Sequence, residues 1–123
     1  MTFIETADRT SLFVTDWGSG APVVFTHAWG LRSDEFDYQI PALTAAGLRC
    51  VLYDRRGHGR SDRPATGYDI DTMADDLAAV SHRRCRGRPG DHGVRRHAVL
   101  AYVPPRLIPA DGPVPLTPSQ RAR

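Results

Sequence analysis

An α/β architecture, a mostly parallel sheet with flanking helices, is what this sequence predicts, and two observations predict it. Two apolar runs, Pro22–Thr26 and Arg49–Tyr53, have the length and composition of strands buried on both faces. Between and after them, apolar residues recur near helical spacing, so strand-like and helix-like segments alternate up to Val80.

The elements follow in order. Ser11–Trp17 reads as a strand closed by Gly18-Ser19-Gly20, and the Gly-Ser-Gly-Ala-Pro link to the next run suits a hairpin-like connection. A helix is expected after Ser33, with Phe36, Ile40, Leu43 and Ala46 on one face; Pro41 predicts a break or a second start within it, and Gly47 ends it. The second buried strand is Arg49–Tyr53, followed by a loop over 54–68 rich in Gly, Arg and Asp. A last helix ends near Val80, with Ile70, Met73, Ala74 and Leu77 as its apolar face. Asp69 or Asp71 is its N-cap, and Asp75 and Asp76 lie toward solvent.

The chain divides into 1–80, the foldable part; 81–96, an Arg/Gly-rich segment without apolar period; and 97–123, a strand-like remnant with a Pro-rich end. Its 123 residues carry a formal net charge of +2, but 1–78 hold twelve acids and seven Arg while 79–123 hold two acids and nine Arg. Every basic residue is Arg, which fits a GC-rich coding sequence better than a nucleic-acid site, and no aromatics interleave the run at 81–96. No nucleic-acid partner is expected. Met1–Leu12 has no apolar stretch of signal-peptide or membrane-span length, so no membrane partner and a cytoplasmic location are expected. Cys50 and Cys85 are too few and too far apart for a disulfide framework or a zinc cluster and read as free thiols; no metal or other cofactor is implied.

Two loops carry the motifs. His27-Ala28-Trp29-Gly30-Leu31 follows the first buried strand. Tyr53-Asp54-Arg55-Arg56-Gly57-His58-Gly59-Arg60-Ser61-Asp62-Arg63-Pro64 follows the second, and Thr66-Gly67-Tyr68 and Met73-Ala74-Asp75-Asp76-Leu77 continue it. Together they resemble the α/β-hydrolase family in its haloperoxidase and esterase branch: the first loop resembles the His-Gly-x-Pro oxyanion loop, the second the Asp-x-Arg-Gly-x-Gly-x-Ser loop. The resemblance implies an incomplete α/β-hydrolase fold. It also implies acyl transfer on a small-molecule ester or acyl substrate in a complete form, by a metal-free mechanism.

Acyl transfer needs a nucleophile, a base to activate it, and N–H donors aimed at the developing oxyanion. By resemblance, the backbone N–H of Trp29 is one donor, and the second follows the nucleophile. Ala28 stands where Gly is usual, and its Cβ would resist a positive φ. The other loop residues read as structural. His27 bonds loop backbone, Gly30 is a structural residue of the same loop, Gly57 and Gly59 fit a tight turn, Asp54 and Arg56 tie that turn to the sheet, and Ser61 bonds backbone. Asp54, His58 and Ser61 lie within eight positions, but sequence proximity is not triad geometry.

No serine of the chain stands in G-x-S-x-G; Gly59-Arg60-Ser61-Asp62-Arg63 fails because its second Gly is Arg. The expectation is therefore a hydrolase-family chain, truncated and inactive, with a non-catalytic binding protein built on the half-domain as the alternative. In the family's strand order, Pro22–Thr26 lies beside the strand that carries the nucleophile, so its edge is open, and Ala98–Val103 is expected to dock there. His92 and His97 fit no family pattern. Pro104–Pro118 is expected to be extended or disordered. The motifs encode neither the native substrate nor the oligomeric state.

Overall fold

The computed structural model describes residues 2–85 and the backbone of a strand at 98–101; the expectations for 86–97 and 102–123, His92, His97 and the Pro-rich end among them, lie outside the described residues. The strands are β1 (Thr2–Glu5), β2 (Ser11–Gly18), β3 (Ala21–Thr26), β4 (Leu48–Tyr53) and β5 (Ala98–Ala101), in one open sheet of order β1-β2-β4-β3-β5. β4, β3 and β5 run parallel, while β1 pairs with β2 and β2 with β4 antiparallel, so the sheet is mixed.

Strand β1 was not expected from the sequence. It is four residues long and contributes only Ile4 to the core, too little to register as a periodic pattern. The expected hairpin between β2 and β3 does not form: β4 lies between them and pairs with both. The link instead passes over the start of β4. A Cβ on Gly18 would stand 2.7 Å from the Leu48 carbonyl oxygen, and one on Gly20 would collide with the Gly47 carbonyl. Both glycines have positive φ, so close approach and backbone conformation together require them.

A 3₁₀ turn at Ser33–Phe36 and helix α1 (Ile40–Ala45, with Pro41 in its first turn) divide the helical stretch where Pro41 predicts. Gly47, at φ +84°, follows α1 and leads into β4. Helix α2 spans Ile70–Arg84, and Asp69 caps it by accepting from the Thr72 N–H at 2.8 Å. It therefore runs four residues beyond Val80. His82, Arg83 and Arg84 lie in its last turn, where positive charge opposes the helix dipole.

The core has two sides. Ile4, Leu12, Val14, Val24, Val51 and Tyr53 pack with Val80 and Leu77 of α2 on one face of the sheet. Phe25, Cys50 and Leu52 pack with Phe36, Ile40 and Leu43 on the other. The expected apolar face of α2 is rotated: Ile70 is 81% exposed and Ala74 is exposed, whereas Asp76, expected in solvent, is only 3% exposed. The inward face is Met73, Asp76, Leu77 and Val80, and Asp76 turns inward because a buried cation meets it there.

Candidate active site at the ends of β3 and β4

Because β3 and β4 are parallel, the loops that follow them, 27–32 and 54–69, emerge at the same edge of the sheet. That edge, the carboxyl ends of parallel strands, is where open α/β sheets present their ligand crevices.

Asp54 organises this edge. Its carboxylate is fully buried and accepts from the Ser33 N–H (2.9 Å), the Ser33 hydroxyl (2.6 Å) and the Arg60 N–H (2.9 Å). Burial works against its charge, but these hydrogen bonds outweigh it and hold its pKa below the ordinary value. Gly59, at φ +49°, packs against that carboxylate so closely that a Cβ would collide with it. Ser61 donates to the Asp54 carbonyl and accepts from the Phe13 N–H at 2.8 Å, joining the loop to β2. Arg56 is 1% exposed and forms a two-pronged pair with Asp76 (2.6 and 2.8 Å) and a third contact with Asp8 (2.9 Å). A Cβ on Gly57 would meet the Tyr68 ring at 2.7 Å.

His27 is buried between the two loops. Its Nε2 accepts from the Arg55 N–H at 2.8 Å, so the proton sits on Nδ1, which donates to the Ala28 carbonyl at 2.8 Å. His58 repeats the arrangement: Nδ1 donates to the Arg56 carbonyl and Nε2 accepts from the Gly30 N–H, both at 3.0 Å. The two imidazoles stand edge-on at 5.0 Å.

These bonds leave an open donor between two engaged ones. The Ala28 N–H is taken by Glu35, the Gly30 N–H by His58 and the Leu31 N–H by the Ala28 carbonyl. Among the described residues, the Trp29 N–H has no partner. Ala28 is not strained, since Arg9 is the only non-glycine residue with positive φ among those described; in this loop the left-handed position falls on Gly30, at +79°. The Trp29 ring is 65% exposed, stands edge-on to His58 (4.8 Å) and to Tyr68 (6.4 Å), and has the Arg55 guanidinium 5.7 Å from its centroid. Trp29, His58 and Tyr68 line an open cleft of about 1080 Å³, with Arg32, Asp34, Glu35 and Arg63 around it.

Every loop residue singled out from the sequence therefore lies at this edge. Asp54, Arg56, Gly57, Gly59 and Ser61 make or permit the ties that hold the second loop, and His27 and Gly30 do so for the first. Asp54, His58 and Ser61 are not in line: Asp54 and His58 have no bond to each other, and Ser61 is spent on backbone. Sequence reasoning passed over Glu35, whose carboxylate reaches back seven residues to the Ala28 N–H, and Asp76. The signal for an inward Asp76 was the Arg pair at 55–56, which needs a counter-charge. Among the described residues no group of three His, Cys, Asp or Glu could hold a metal, and no helix is long and apolar enough to cross a membrane.

Burial, more than any other cause, lowers the pKa of His27 below its ordinary 6.5. The unfolded chain then takes up a proton near pH 6.5 that the folded chain still refuses, so stability falls as pH drops below that point. We expect His27 to add up to about 1.4 kcal/mol per pH unit of lost stability in that window. Urea unfolding at pH 7.5 and 5.5 checks this. His27→Asn should flatten the dependence, and an unchanged slope in the variant would rule it out.

The comparisons with known proteins agree with this geometry. The alpha/beta hydrolase fold family matches residues 21–88. A non-heme chloroperoxidase of Streptomyces lividans is 48% identical over 131 aligned positions, covering 88% of this chain and 47% of that protein. A bifunctional esterase/perhydrolase of Acinetobacter calcoaceticus is 46% identical over 82 positions, 65% of this chain and 30% of that one. An esterase from Exiguobacterium antarcticum superposes with a TM-score of 0.65 at 46% identity, covering 67% of this chain and 31% of its own. The chain thus spans about half the length, or less, of the relatives it matches. From the motifs, the mixed sheet and these matches together, the chain belongs to the α/β-hydrolase fold family, related to its haloperoxidase and esterase branch.

Proposed function

We propose that this chain carries the acyl-oxygen-binding part of a cytoplasmic ester or acyl hydrolase, and that its 123 residues bind a small-molecule ester without hydrolysing it. The observation that carries the reading is the unpartnered Trp29 N–H at the cleft, flanked by N–H groups that are all engaged. A donor left open in a fixed loop is what a developing oxyanion requires, because it need not reorganise as charge builds on the carbonyl oxygen. His27, Glu35 and His58 act as positioning residues: they hold the backbone on either side of Trp29.

Hydrolysis needs more than one donor. The sequence offers no serine in a nucleophile elbow, Ser61 is committed to backbone, and both His27 nitrogens are occupied, so neither side chain is poised to attack or to take a proton from an attacking group. Incubation of the chain with p-nitrophenyl acetate tests the first half of the proposal. Release of nitrophenolate should be no faster than in buffer with free imidazole, and saturable turnover would overturn it. Titration with an unreactive alkyl ester tests the second half, since the Trp29 backbone amide resonance should move. A resonance that stays in place means no carbonyl oxygen docks there.

A further inference from the structure

The charges that line the cleft are equal in number but not all paired. Asp34 is shared by two guanidinium groups, Arg32 at 2.9 Å and Arg60 at 2.7 Å, and Glu35 is held by the Ala28 N–H at 2.9 Å. Arg63 lines the same cleft, is exposed, and has no ion-pair partner among the described residues. Arg55, behind the Trp29 ring, spends its donors on the His27 carbonyl and the Met73 sulfur, neither of which carries charge. Of the charged residues that line the cleft, two are cations, Arg32 and Arg63, and two are carboxylates, Asp34 and Glu35; Arg32 is paired with Asp34, and Arg63 is the lining cation without an ion pair among the described residues. An aromatic wall of Trp29 and Tyr68 lies across the same space.

We infer that the cleft selects esters that carry a carboxylate away from the ester group, with Arg63 as the residue that reads it. This rests on the ester-binding reading above. The carbonyl oxygen takes the Trp29 N–H, the carbon chain lies on the Trp29 and Tyr68 rings, and the remote carboxylate faces Arg63. A guanidinium is suited to this because its donors match the two oxygens of a carboxylate.

Monomethyl and dimethyl succinate share a carbon skeleton and differ by one negative charge, so titrating the full chain with each, followed by backbone amide resonances, isolates the charge. Arg63 is exposed, so the pairing is screened and its effect modest. The monoester should bind about fivefold tighter than the diester, the preference should shrink in high salt, and Arg63→Gln should remove it while leaving diester binding unchanged. Equal affinities for the two esters, or a preference that survives Arg63→Gln, overturns the inference. If both esters shift the Trp29 amide without preference, only the inference falls. If neither shifts it, the ester-binding reading falls with it.

Discussion

Replacing Asp76 by Ala is expected to cost about 3–5 kcal/mol of stability. Arg56 is 1% exposed and Asp76 3%, and the pair is two-pronged, so deleting the carboxylate leaves a guanidinium buried with only the half-exposed Asp8 beside it. The pair's Coulombic gain is largely offset by the cost of burying two ions, but a lone buried ion has no such offset. Domains of this kind are stable by only about 5–15 kcal/mol, and small ones less, so the loss is a large part of the whole. At a urea dependence of about 2 kcal/mol per molar, the unfolding midpoint should drop by roughly 2 M. The double change Arg56→Met with Asp76→Leu should recover most of it, since an apolar pair of similar bulk restores packing without stranding a charge. A midpoint shift under about 0.5 M in the single variant would show that the pair is better solvated than its burial indicates.

That pair also marks the limit of what the sequence made legible. The two parallel strands were readable because β3 and β4 are buried on both faces and so carry uninterrupted apolar runs. Pro41 announced the break between the 3₁₀ turn and α1 because a proline must begin a helix or interrupt one. The inward face of α2 was not readable. Periodicity assigned Ile70 and Ala74 to it, yet the long-range demand of Arg56 decided the rotation, and no local pattern records a partner 20 positions away. The path of the Gly18–Gly20 link was hidden for the same reason. Glycine before a strand suggests a turn, whereas the crossing over Gly47 and Leu48 exists only once β4 has inserted between β2 and β3. The docking of 98–101 on β3 was foreseen from the open edge, with Val23 paired to Ala98 and Thr26 to Ala101.

At the site, residue types and spacing pointed to the two loops but not to how their bonds divide. Trp29 stood out through family resemblance; that its N–H lies open between two engaged donors depends on Glu35 and His58 taking the neighbouring donors, contacts seven and 28 positions apart. Ala28 raised the opposite expectation, of strain, and the loop avoids it by putting the left-handed turn on Gly30.

The central claim, that the Trp29 N–H is an oxyanion donor, is tested most directly by supplying what the sequence lacks. Residues 21–84, from β3 to the end of α2, can replace the matching segment of the Streptomyces lividans chloroperoxidase, to which the chain is 48% identical. We predict a chimera that hydrolyses p-nitrophenyl acetate. Trp29→Pro within it removes the donor hydrogen together with the ring and should lower kcat by about 10²–10³ with KM little changed, because the bond strengthens as charge develops. Trp29→Ala keeps the N–H, loses the ring and should cost less than about tenfold, which separates the donor from the side chain. A folded chimera that is inactive, or a Trp29→Pro variant within tenfold of its parent in kcat, would contradict the account.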